Sequence, residues 1–200
     1  MHEIGNASPY RLFFAGKGKS GASFGFMQGD LAAKQPVVTN TFTAILNAEG
    51  FTNNEITHYL ALLSVHVIGN PLTNVDTDRI NAALLHQSTR VDQMDEQILG
   101  QVYTDLDKCY AAAKAANCTI NPTAAIMMAL WINMSGPPSK LLTWLGGGDP
   151  HLTHPIPAAA ARVTGTQMEA YLRATDYFSE NPGNFPHFLQ SVNAGVALLP

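Results

Sequence analysis

Residues 123–134, TAAIMMALWINM, are apolar on nearly every side. A helix of that composition has no face to offer to water and must run through a core, so the rest of the chain has to wrap it. Its boundaries are legible. Asn121 is a side-chain N-cap, and Pro122 follows in the first turn, where a missing N–H costs nothing. Gly136-Pro137-Pro138 then breaks the run.

The wrapping elements follow by period. In TNNEITHYLALLSVHV, residues 52–67, Thr52 and Glu55 have capping-box spacing, and Ile56, Leu60, Leu63 and Val67 fall on one face. DTDRINAALLHQ predicts another helix, with Asp76-Thr77-Asp78 at its N-terminus. A long helix follows through Met94, Ile98, Val102, Leu106, Cys109 and Ala113. SKLLTWL is a short helix, residues 146–157 are loop, and GTQMEAYLRATDYF and FPHFLQSVNAGV predict two terminal helices. With one early hairpin, the expectation is an α+β fold, predominantly α. Length favours a single domain over residues 1–200, with a hairpin-bearing lobe over about 1–50 and a helical lobe over about 51–200.

Composition removes several functions. A formal charge of −4 argues against a nucleic-acid partner held through phosphates. No apolar run reaches the roughly 20 residues that span a bilayer. Met1-His2-Glu3-Ile4-Gly5 has neither the basic nor the apolar region of a signal peptide, which leaves another export route or a missing leading segment. Cys109 and Cys118 are expected as buried free thiols, a disulfide being open to them only if the chain folds back sharply at Asn117. Asp149, His151 and His154 lack the further ligand a zinc site needs, so no metal is expected, and no cofactor motif is present.

One stretch departs from the helical pattern. Residues 10–30, YRLFFAGKGKSGASFGFMQGD, read as extended structure punctuated by glycine. Glu3, Ser23 and Asp30 are the chemistry-bearing side chains of these first thirty residues. Cleaving a glycosidic bond requires a carboxylic acid to protonate the leaving oxygen and a second group to hold water or stabilise positive charge. Glu3 and Asp30 on facing walls, with Ser23 between, have the composition for it. Each also has an ordinary reading: a solvated terminal glutamate, a small residue in a strand, and a helix cap.

The segment HEIGNASPYRLFFAGKGKSGASFGFMQGDLAA resembles the active-site region of the lysozyme-like superfamily, especially phage-type lysozymes and pesticin-like muramidases. There a glutamate precedes a glycine-rich hairpin that carries a hydroxyl residue and an aspartate. A second match lies in AAIMMALWINMSGPPSKLLTWL, similar to the central buried helix of those enzymes, with Asn133 and Gly136 in an Asn-x-x-Gly pattern. The resemblance implies a lysozyme-like fold with Glu3 as general acid. It gives Asp30 and Ser23 the task of holding the attacking water. Tyr10, Phe24, Gln28 and Asn133 would then contact substrate, Tyr10, Phe24 and Gln28 being equally readable as packing. The implied partner is peptidoglycan or a related amino-sugar polymer, cleaved at β-1,4 bonds with inversion and without a cofactor.

Neighbouring branches stay open. GFMQ is similar to the GLMQ of lytic transglycosylases, in which one glutamate suffices and Asp30 would be structural. The Gly29-Asp30 ending is similar to chitosanases of the same broad fold. The family's glutamate ends a helix, whereas only Met1 and His2 precede Glu3 here. A preceding segment, another helix covering Glu3, or a non-catalytic glycan-binding or phage-structural role would each account for that difference.

Overall fold

The computed structural model describes residues 7–14, 20–66 and 68–199. Its chain divides into two compact units, one reaching Leu99 and the other beginning at Gly100. The boundary expected near residue 50 therefore falls about fifty residues later, inside a long helix. The hairpin region and the helices that follow it share one core, so no lobe boundary separates them.

The first unit opens with three short strands, β1 (Phe13–Phe14), β2 (Ala22–Phe24) and β3 (Gly29–Asp30), forming one antiparallel sheet in the order β1-β2-β3. Where the extended stretch 10–30 was expected to form one hairpin, its second half, ASFGFMQGD, is broken into two strands. Gly25 takes φ +82° and Gln28 φ +55°, left-handed conformations that turn the chain and add a third strand. A single 3₁₀ turn, Leu31–Ala33, leads to helix α1 (Pro36–Ala48).

Helices α2 (Asn53–Leu63) and α3 (Asn74–His86) follow, then α4 (Ser88–Ala115), which runs past the boundary into the second unit. The expected capping box starts α2. Thr52 Oγ1 accepts from the Glu55 N–H, and Glu55 Oε2 accepts from the Thr52 N–H at 2.7 Å. Ile56 and Leu63 are buried as the period requires. The helix stops at Leu63, short of the predicted Val67, where Val65 brings β-branched chain with low helix propensity. Val67 lies outside the described residues. Asp76 stands at the start of α3, where Thr73 Oγ1 accepts its N–H.

In the second unit α5 (Pro122–Ser135) packs against α7 (Gly165–Arg173) and α9 (Phe185–Val196). Its start is as read: Asn121 Oδ1 accepts the Ala124 N–H at 2.8 Å, with Pro122 in the first turn. Strands β4 (Thr119–Ile120) and β5 (Arg162–Val163) pair in parallel, a contact with no signature in the sequence. Between them in sequence lie α5, α6 (Ser139–Leu145) and the expected loop. The first terminal helix is in fact two, because Thr175 recaps the chain and starts α8 (Asp176–Glu180). Cys109 and Cys118 are buried free thiols, and burial pushes the Cys109 thiol up to about 12. Among the described residues no helix is long and apolar enough to cross a membrane.

Candidate functional site

The small sheet has two unlike faces. Residues opposite one another on paired strands project their side chains to the same side. The register pairs Phe14 with Ala22 and Phe24 with Gly29 on one face, and Phe13 with Ser23 and Ser23 with Asp30 on the other. The first face is core. Phe24 has no exposed surface, its ring centroid lies 5.7 Å from that of Phe42, and Ala22 and Gly29 are buried beside it. Phe24 is therefore a packing residue, and the expectation that it touches sugar is corrected: no ring can reach a side chain with no surface.

The second face is half-exposed across Phe13, Ser23 and Asp30. Asp30 Oδ1 accepts from the Ala32 N–H at 2.8 Å, as N-cap of the 3₁₀ turn, and from the Gly21 N–H at 3.0 Å. Among the described residues both bonds fall on Oδ1. Ser23 Oγ donates to Gln28 Oε1 at 3.0 Å, and Gln28 Nε2 donates to the Gly25 carbonyl at 3.2 Å. The hydroxyl and the amide thus orient each other beside the carboxylate. Arg11 places its guanidinium 5.6 Å from the centroid of the Phe13 ring. A carboxylate, a hydroxyl, an oriented amide and an aromatic ring on one surface can hold water or meet the hydroxyls and apolar face of a sugar.

Tyr10 leans its ring on the core and donates its hydroxyl to Asp92 Oδ1 at 3.0 Å, a bond that raises the phenol pKa. Asn133 belongs to α5 in the second unit. Glu3 lies outside the described residues.

Sequence reasoning missed Asp95. This α4 side chain is buried, and its carboxylate accepts from the Phe26 N–H at 2.6 Å and the Met27 N–H at 2.9 Å. Those two donors form the tip of the β2–β3 turn, so Asp95 ties the turn to the helix. Burial pushes its carboxyl pKa up, against the two backbone bonds, which lower it. The signal was available: Val91, Asp95, Ile98 and Val102 are spaced by four, three and four, which puts an acid on the inward stripe of α4.

The tie explains the glycines. A Cβ on Gly25 would lie 2.6 Å from Asp95 Oδ1 and 2.9 Å from Met94 Cε. One on Gly21 would lie 2.6 Å from the Leu63 carbonyl oxygen. Glycine lets this sheet lie flat on its helices. A separate groove of about 300 Å³ runs between α1 and α4, lined by Asn40, Thr41, Arg90, Gln93 and Gln97 with Met94 at its base. None of the sequence-predicted site residues among the described ones lines it.

Comparisons with family models, with curated proteins and with solved structures each found no match.

Proposed function

We propose that the chain is a glycoside hydrolase of the lysozyme-like type, cleaving β-1,4 bonds between amino sugars in peptidoglycan. The supporting observation is the register pair Ser23–Asp30, which sets a hydroxyl and a carboxylate side by side on the half-exposed face of the sheet. Glu3 protonates the glycosidic oxygen. Asp30, using the oxygen opposite its capping bonds, and Ser23 hold the water that attacks the other side of the sugar. Inversion follows, which requires the two carboxyl groups to stand about 6.5–9.5 Å apart. Phe13 offers the ring on which a sugar can rest, and Gln28 an amide for its polar edge. The substrate is at the cell wall.

A second reading rests on Asp30 Oδ1. Its two backbone bonds are ones an inert hairpin would also need. If that is the whole of its role, the chain is a lytic transglycosylase with Glu3 as sole acid–base residue, or a non-catalytic glycan-binding domain.

Turbidity of a peptidoglycan suspension, followed with the native chain and with Glu3→Gln, tests the first reading. Clearing by the native chain, lost in the variant, is expected. An intact native chain that clears nothing contradicts hydrolysis. Mass spectra of the released fragments then separate a hydrolysed reducing end from the anhydro sugar of a transglycosylase.

A further inference from the structure

The second unit contains an open cavity of about 420 Å³. Its floor is apolar: Met127 and Val192 are buried and Leu189 is half-buried. The other lining residues are largely polar: Asn121, Thr123, Thr164, Thr166, Glu169 and Asn193. The Asn121 oxygen and the Thr164 oxygen already accept the Ala124 and Gln167 N–H groups, so both side chains keep donors for a ligand.

Among the described residues Glu169 is the one charged side chain lining this cavity, and it is paired. Arg173 holds Oε1 through Nε at 2.9 Å and Nη2 at 2.8 Å, and Arg173 itself lies over the Phe185 ring at 3.9 Å. The ion pair with Arg173 offsets the charge of the Glu169 carboxylate, so this lining offers no strong counter-charge to either an anion or a cation. The many hydroxyl and amide groups disfavour a purely apolar ligand. What remains is a neutral molecule with one apolar face and several hydroxyls, which is the chemistry of a sugar ring. Gly165 keeps this arrangement close, since a Cβ there would lie 2.9 Å from Thr123 Cγ2.

We propose that this cavity is a binding site for a neutral saccharide. The C–H face of a sugar ring rests on Met127, Leu189 and Val192, and its hydroxyls bond to Asn121, Thr164 and Glu169. The site takes no part in bond cleavage and does not depend on what the small sheet of the first unit does.

Amide spectra of the full chain, titrated separately with tri-N-acetylchitotriose and cellotriose, test it site by site. At millimolar concentration at least one probe is expected to shift the amides of Gly165, Thr166 and Asn193. Glu169→Gln, which keeps the shape, should weaken that binding about tenfold, as for loss of a charge-assisted hydrogen bond. Thr166→Trp, placed on an exposed rim position, should block it, while Asp30→Asn leaves it unchanged. Stationary amides with both probes overturn the proposal, as do native-like shifts and affinity in folded Glu169→Gln. A wall suspension left uncleared has no bearing on these amides, so the two readings fail separately.

Discussion

The two faces of the small sheet are built from the same three strands and differ in every other respect. One carries Ala22, Phe24 and Gly29 into a core shared with α1 and α4, where each atom is fixed by packing. The other carries Phe13, Ser23 and Asp30 at half exposure, held by hydrogen bonds. Strand alternation alone makes the difference, and a slip of one residue would exchange the faces. The inner face therefore answers for stability, and the outer face is free to answer for chemistry.

Substitution on each face gives the largest expected contrast. Phe24→Ala removes a ring with no exposed surface and should cost about 3–5 kcal/mol, read by denaturant titration. Phe13→Ala removes a ring that keeps some exposed surface and should cost clearly less, about 1–2 kcal/mol, while weakening any saccharide that rests on it. Equal losses of stability at the two positions would break the contrast.

The turn joining the faces comes next. Gly25→Ala must hold φ +82° and approach Asp95 Oδ1 to 2.6 Å, and should cost about 1–3 kcal/mol. The same titration reads it, and a native midpoint would mean that the turn is not strapped down.

Asp95→Asn sharpens that point at an expected cost of about 1–3 kcal/mol near neutral pH, because one of the two N–H groups loses its acceptor. Its pH dependence has a definite sign. Burial raises the folded-state pKa above the ordinary 3.8, so the protonated carboxyl is favoured in the fold. Asp95 thus contributes stability that grows as pH falls through its folded-state value, is complete below 3.8, and is lost as pH rises. Relative to Asp95→Asn, the native chain should gain stability on acidification, measured as midpoints over the carboxylate range. A constant difference would contradict the burial of this carboxyl.

Much of the helical architecture was legible because caps and periods are local. Asn121-Pro122 and Thr52/Glu55 mark their helices, and the steps from Met94 to Ala113 run along α4 as read. The third strand was not legible, since ASFGFMQGD alternates like one strand and only the backbone at Gly25 and Gln28 divides it. The parallel contact of β4 and β5 is long-range and leaves no trace in two-residue strands. At the site, Ser23 and Asp30 were recognised as a pair, and their shared face follows from register. Phe24 stayed open between sugar contact and packing because alternation says which residues share a face without saying which face is outside. Asp95 escaped notice among the polar residues of a long helix, although its step from Val91 points inward.

The account rests on the outer face acting on a polysaccharide through Asp30. Asp30→Asn keeps the oxygen that accepts the Gly21 and Ala32 N–H groups, so the sheet should fold with a native unfolding midpoint. Release of reducing ends from purified peptidoglycan is the deciding measurement. The account predicts a fall of about a hundredfold or more in that rate, as for loss of a group that positions and activates water. A variant that folds and releases reducing ends at the native rate would contradict it.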